Sequence, residues 1–136
     1  MKKQEVTIAT GKRKTSVAKA AIRKGNGTIR INSLLLSCFE PEMGRLKISE
    51  PLEIAGPEIT KEINISVNVI GGGWQSQVEA ARLAIARALV KHTKNKKLKQ
   101  DYSNYDKTLL VADVRRREPY KPNDSKARKS RQFSKR

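Results

Sequence analysis

Between Gly11 and Ser16 the chain reads Gly-Lys-Arg-Lys-Thr-Ser, three adjacent cations followed by two hydroxyls. Such a run suits phosphate, because cations and hydroxyls are the groups that grip a nucleic-acid backbone. It is not a Walker loop, which needs GxxxxGK(S/T) opening a helix, whereas the residues that follow Ser16 alternate like a strand. Lys12, Arg13, Lys14, Thr15 and Ser16 are therefore expected to touch phosphate, the plainer alternative being a solvated charged loop.

Gly71-Gly72-Gly73 joins the cleanest alternating stretch to the longest helical one. Glycines let a ligand backbone come close, and a helix N-terminus offers free N–H groups to an anion. The same run also suits a tight turn with unusual φ values, and spacing leaves both readings open. Trp74, next in line, suits either base stacking or covering the core edge. Aromatic residues make up 4% of the chain, too few for a base-stacking platform, so contact is expected with backbone and shape more than with sequence.

The last 22 residues read RRREPYKPNDSKARKSRQFSKR, ten Lys/Arg against two acids. Only Tyr120, Ala127 and Phe133 could join a core there, so burial cannot offset the entropy of ordering. The segment is expected to be an extended arm that takes shape on an anionic surface. Nucleic acid fits best, because each cation placed on a phosphate releases condensed counterion. Arg115, Arg116, Arg117 and Lys121 lie in a part stiffened by Pro119 and Pro122, which cannot sustain a helix. Lys126, Arg128, Lys129 and Arg131 lie in a more flexible part. From Pro119 the 18 remaining residues span roughly 60 Å when extended.

Charge is distributed in the same sense. Residues 1–31 carry nine bases and one acid, residues 115–136 also net +8, and residues 32–114 hold eleven bases against ten acids. Excess charge at the two ends, around a near-neutral middle, is an electrostatic footprint rather than a solubility device. The basic ends have no apolar face to insert into a membrane, and no apolar run reaches spanning length. One cysteine, Cys38, excludes an internal disulfide framework and fits a reducing, cytosolic compartment. With one histidine, His92, the usual His/Cys zinc set cannot be assembled. The scattered acids give no catalytic pair by spacing.

The elements that must position these groups follow from periodicity. Residues 4–10 alternate as a strand, which Gly11–Lys14 interrupts. A second strand covers about 15–24, with Ala18, Ala20 and Ile22 opposite Lys19 and Arg23. Gly25-Asn26-Gly27 predicts a turn, and Thr28–Ile31 closes a hairpin. Asn32 or Ser33 caps a short helix through Phe39, a second short helix covers about 42–49, Pro51 ends it, and Pro57 lies in the next loop. Residues 63–70 form a strand buried on one face. A helix from about Gln75 to Thr93 carries Val78, Ala81, Ile85, Ala88 and Leu89 as its apolar stripe, with Arg87, Lys91 and Lys94 on a separate face. A short helix sits near 97–102. The fold class is α+β, one sheet with helices packed on one face; residues 1–114 form a globular RNA-docking domain and 115–136 the arm.

Taken in order, GKRKTSVAKA (11–20), GNGTIRIN (25–32), PLE (51–53), GGG with the AxxxIARAL helix (81–89), VADVRRREP (111–119) and KARKSRQFSKR (126–136) resemble the universal small-subunit ribosomal protein S-nine family over nearly the whole chain. FEPEMGRLKI and YDKTLLVADVRRREPYKPN look like its archaeal and eukaryotic branch, with an archaeal source, while the ending QFSKR looks more bacterial. The resemblance implies a left-handed βαβ crossover and a place in the head of the small subunit, against 16S-type rRNA and neighbouring head proteins. It implies that Lys126, Arg128, Lys129 and Arg131 neutralise rRNA phosphate, and that Ser134, Lys135 and Arg136 reach the peptidyl-site tRNA. No catalysis, cofactor, small-molecule substrate or membrane is implied. Two other classes compete. A small-molecule kinase of similar fold would need a glycine loop with a serine pair that GGGWQSQ lacks. A general nucleic-acid condenser would bind DNA and RNA alike, with a steep salt dependence.

Overall fold

In the computed structural model, residues 5–135 are described; Gln4, at the start of the expected first strand, and Arg136, at the arm's tip, lie outside them. Strands β1 (Thr7–Arg13), β2 (Ser16–Lys24), β3 (Ile29–Ile31) and β4 (Leu34–Leu35) are followed by helices α1 (Glu42–Ala55) and α2 (Pro57–Lys61). Strand β5 (Ile63–Ile70) and helices α3 (Trp74–Thr93) and α4 (Lys96–Tyr105) complete the order, with single 3-10 turns at Leu36–Cys38 and Lys107–Leu109. The sheet runs β1-β2-β5-β3-β4, antiparallel except for the β5–β3 pair. The class is α+β, as the sequence predicts.

Strand alternation decides which face is covered. Ala18, Ala20 and Ile22 of β2 and Ile63, Ile65, Val67 and Val69 of β5 are buried, while Lys19, Arg23, Ser66 and Asn68 between them are exposed. Helix α3 lies on the buried face against β1, β2 and β5, and α1 packs on α3. The predicted stripe of α3, Val78, Ala81, Ile85, Ala88 and Leu89, is buried throughout. Its alanines bring the backbones together: a Cβ added at Gly11 of β1 would overlap the Ala80 carbonyl oxygen and the Ala84 nitrogen. Only glycine fits there, for lack of space rather than for φ.

Several local expectations are corrected. Gly11–Arg13 does not interrupt β1; the strand runs through it to Arg13, and only Lys14 and Thr15 form the turn. Strand β3 does not close a hairpin with β2, because β5 lies between them and pairs with β2 along its full length, from Ile63 opposite Lys24 to Ile70 opposite Val17. The Gly25–Gly27 turn folds instead over the start of β5. Gly25 and Gly27 donate to the Glu62 and Ile63 carbonyls, and the Asn64 Oδ1 accepts from the Asn26 and Thr28 N–H groups at 2.9 and 3.0 Å. Asn32 and Ser33 do not cap a helix; both take positive φ, 47° and 73°, in the turn between β3 and β4.

Pro51 does not end α1, which continues to Ala55. A proline within a helix ordinarily costs about 3 kcal/mol. Here its ring and Leu52 are buried, and its carbonyl accepts from the Tyr102 hydroxyl at 2.6 Å, tying α4 to α1. Burial pushes the Tyr102 phenol above its ordinary pKa, so it donates that bond across the physiological range. Pro57 is not in a loop but opens α2, where its missing N–H matters least.

No helix or strand forms from Val111 to Lys135. The segment is not extended throughout. Glu118 and Arg128 form a two-pronged ion pair, with N–O distances of 2.6 and 2.9 Å, and close a surface loop.

Candidate nucleic-acid interface

The turn that follows β1 and the root of the arm are about a hundred residues apart in sequence and meet in space. Arg13 organises the meeting. Its parity on β1 turns it toward the helices, where its Nε donates to Glu79 of α3 at 2.6 Å and its guanidinium stands 3.4 Å from Asp113. Asp113 in turn accepts from the Arg115 backbone N–H at 3.0 Å and from its guanidinium at 2.7 and 2.9 Å. Those hydrogen bonds from Arg115, reinforced by Arg13, hold the Asp113 carboxyl well below the usual carboxylate range. Asp113 is thus an anionic pivot fixing the first residues of the arm against the sheet.

Around this pivot lies an open groove of about 670 Å³ lined by Arg13, Lys14, Thr15, Arg115, Arg116 and Arg117. No carboxylate among the described residues lines it. Among the described residues neither Lys14 nor Arg116 comes within 4.0 Å of a carboxylate oxygen, and Arg117 lies over the Tyr120 ring at 4.6 Å. Such cations keep their full field for an external anion.

The other predicted residues divide sharply. Lys12 is exposed on the opposite face of β1 from Arg13. Ser16 is fully buried, its hydroxyl engaged by the Gly71 carbonyl at 2.7 Å and by the Ser76 Oγ at 2.8 Å. The expectation of a surface contact at Ser16 is withdrawn: its hydroxyl pins the glycine turn. Gly71 and Gly72 have φ of 78° and 68°, and a Cβ on either would collide with the chain's own atoms, Thr15 O for Gly71 and Ser16 Oγ for Gly72. The turn reading therefore accounts for both. Gly73 has open space around it and precedes Trp74, which is half-exposed at the start of α3.

Lys121, Lys126, Lys129 and Arg131 are exposed along the arm, with Arg131 Nε donating to the Asn123 carbonyl at 3.2 Å. Ser134 and Lys135 are exposed too, whereas Arg136 falls outside the described residues.

A mixed-charge cleft of about 480 Å³ lies beside the groove, with Arg13, Glu79, Glu50, Arg82 and Asp106 among its walls. Arg82 bridges Glu50 at 2.5 Å and Asp106 at 3.0 Å and donates to Thr108 at 3.1 Å, so opposite charges neutralise one another there. Burial alone would raise the Asp106 pKa, but hydrogen bonds from Thr108 and Arg82 bring it below its ordinary value. His92 Nδ1 lies 3.2 Å from Thr7 Oγ1, and Cys38 is an exposed free thiol. Among the described residues no three His, Cys, Asp or Glu side chains gather as a metal site, and no helix is long and apolar enough to cross a membrane.

Sequence reasoning missed Glu79 and Asp113. Asp113 carried one usable signal, a lone acid two residues before an arginine triplet; Glu79 carried none, because its partner lies 66 positions away.

Fold and charge define the class first: a small α+β domain with a long basic C-terminal segment and an acid-free groove at its root. The comparisons then place it. The family model for ribosomal protein S9/S16 matches residues 11–136, and the chain belongs to that family, which is structural and not enzymatic. It is 45% identical over 116 residues to the small ribosomal subunit protein uS9 of Halobacterium salinarum, covering 85% of this chain and 88% of that protein. It is 46% identical over 127 residues to the uS9 of Pyrobaculum aerophilum, covering 93% of this chain and 89% of that one. The kinase alternative is thereby set aside.

Proposed function

We propose that the chain is a structural constituent of the small ribosomal subunit in the cytoplasm, seated in its head on small-subunit rRNA and beside neighbouring head proteins. The observation that carries the reading is the convergence of Lys14 and Thr15 with Arg115, Arg116 and Arg117 in one groove free of carboxylates. The body, residues 1–114 with a left-handed crossover between β3 and β5, docks as a unit. Residues 115–136 act as the arm, opening from the Glu118–Arg128 loop as phosphate replaces the carboxylate. Along it Lys121, Lys126, Arg128, Lys129 and Arg131 neutralise rRNA phosphate. Lys12 adds charge beside the turn, and Gly73 with the first N–H groups of α3 admits a phosphate after the Gly71-Gly72 turn. Ser134, Lys135 and Arg136 reach the peptidyl-site tRNA.

Lys14→Ala/Arg116→Ala tests the groove. Two lost phosphate contacts lower the slope of log affinity against log salt for a small-subunit rRNA fragment by about 0.7–0.9 each. An unchanged slope overturns the groove as the rRNA site. Removal of residues 132–136 tests the tip: subunits should still assemble but retain less peptidyl-site tRNA, and equal tRNA occupancy in truncated and intact subunits sinks the tRNA role.

A further inference from the structure

The face of the sheet turned away from the helices is uncovered by any described element, and neither the groove nor the arm uses it. Its side chains are fixed by register: Lys19 pairs with Asn68, Ala21 with Ser66, and Ser66 in turn with Arg30 of β3. Arg23 stands opposite Asn64 on the same face. Lys19, Arg23, Arg30, Ser66 and Asn68 are all exposed. No Asp or Glu occurs in any of the five strands. Among the described residues none of the three cations meets a carboxylate within 4.0 Å, unlike Arg13 and Arg82 on the helical side.

Where β2, β5 and β3 run side by side, a groove of about 600 Å³ opens, lined by Arg23, Lys24, Arg30, Ala21, Asn64 and Ser66 among others. Neighbouring strands lie about 4.8 Å apart, so Arg30 stands about 10 Å from β2 across a floor of small residues, and Lys19 and Arg23 about 13 Å apart along it. The Lys14–Thr15 turn lies at the far end of β2, about 26 Å from Arg23 at about 3.3 Å per residue.

We propose that this open sheet face, through Lys19, Arg23 and Arg30, docks on the sugar–phosphate backbone of an RNA duplex, as a second surface separate from the groove at the arm root. The inference rests on the ribosomal reading and extends it. Charge complementarity selects a polyanion. The row through Ala21 and Ser66 does end in exposed aliphatics, Ile8 opposite Ala21 on β1 and Leu35 opposite Arg30 on β4. They stand at the two sheet edges with Ala21, Ser66 and Arg30 between them, so no apolar cluster forms at the centre of the face, where a protein interface has its anchor. No strand carries Phe, Tyr or Trp, so the face cannot stack unpaired bases as single-strand platforms do. Hydroxyl and amide groups at Ser66 and Asn68 suit phosphate and 2′-hydroxyl contacts across a duplex groove.

The test uses the full chain with a short blunt RNA duplex and the single strand of the same sequence as probes. K19A/R23A/R30A should lower the slope of log affinity against log salt by about 2–3, at about 0.9 per contact, and K19R/R23K/R30K should restore it. The duplex should bind more tightly than the single strand. Should the alanines unfold the sheet, K19Q/R23Q/R30Q carries the same readout. An unchanged slope overturns the proposal, as does a single strand bound as tightly as the duplex. Loss of an acidic protein partner at an unchanged RNA slope overturns it equally. If K14A/R116A lowers the rRNA slope while the sheet variant does not, only this inference fails; if neither does, the ribosomal reading of the groove fails with it.

Discussion

The two sides of the sheet treat their cations in opposite ways. On the helical side Arg13, Arg82 and Arg87 point inward, and each is held by the protein itself: Arg13 by Glu79 and Asp113, Arg82 by Glu50 and Asp106, Arg87 by the carbonyls of Leu110 and Thr10. On the open side and at the turn, Lys14, Lys19, Arg23 and Arg30 are exposed, and among the described residues no carboxylate stands within 4.0 Å of them. A net charge of +17 therefore understates the division of labour. Some arginines join α3, the edge strand and the arm root into one body; the remaining cations present that body to a polyanion. In a strand, one residue's step decides which group a cation joins, because Lys12 and Arg13 point to opposite faces.

The most severe way to break this division is at Gly11, inside the cationic run. Gly11→Val should destabilise the protein by about 3 kcal/mol, the upper end of ordinary overpacking, since the obstacle is the backbone of α3 rather than a movable side chain. Urea unfolding measures it. If the run were a solvated loop, valine would cost almost nothing, and the assignment of Arg13 to the helical side would fall with it.

Arg82→Ala comes next. Removing one partner of a fully buried pair costs about 3–5 kcal/mol, but the Glu50 and Asp106 side chains keep 30% and 36% of their exposure, so about 2 kcal/mol is expected. Binding of the folded variant to an rRNA fragment should keep the wild-type salt slope. A flatter slope would move Arg82 from the structural group to the RNA-facing group and blur the comparison.

How much of this could be read from sequence follows from how local each cause is. Strand β5 matches the expected 63–70, and α3 begins one residue earlier than expected, because alternation and helical spacing there span many residues and agree with the glycine turn between them. The hairpin misreading has a nonlocal cause. Gly25-Asn26-Gly27 is a turn, but its partner is decided by Asn64 and the longer β5 ladder, 36–38 positions away. Pro51 sits inside α1 with its ring buried and its carbonyl bonded to Tyr102, a contact across 51 positions that no local signal shows. At the site, the two basic segments were visible as charge, whereas their meeting depends on Glu79 and Asp113, whose roles exist only in the folded chain. Ser16 was legible: the expected strand over 15–24 puts it on the same side as Ala18, Ala20 and Ile22, and only its nearness to the cationic run suggested a surface contact.

The smallest effect sharpens the boundary between the two groups, at Arg115. Its guanidinium is pinned by Asp113 yet lines the groove that faces outward. The Asp113 carboxyl is held below its unfolded value of about 3.9, so its contribution is complete above that pH and is lost only as pH falls through the lower folded value. The arm root should therefore keep the same pairing from pH 5 to 8, and carboxyl NMR should show Asp113 titrating below about 3.9. Asp113→Asn removes the charge at every pH. It should lower hydrogen-exchange protection of the Arg115 amide and, by freeing the guanidinium for phosphate, steepen the RNA salt slope by up to about 0.9. A slope unchanged by Asp113→Asn would show that Arg115 belongs with Arg13 and Arg82, holding the body together, and that the outward-facing group begins only at Arg116.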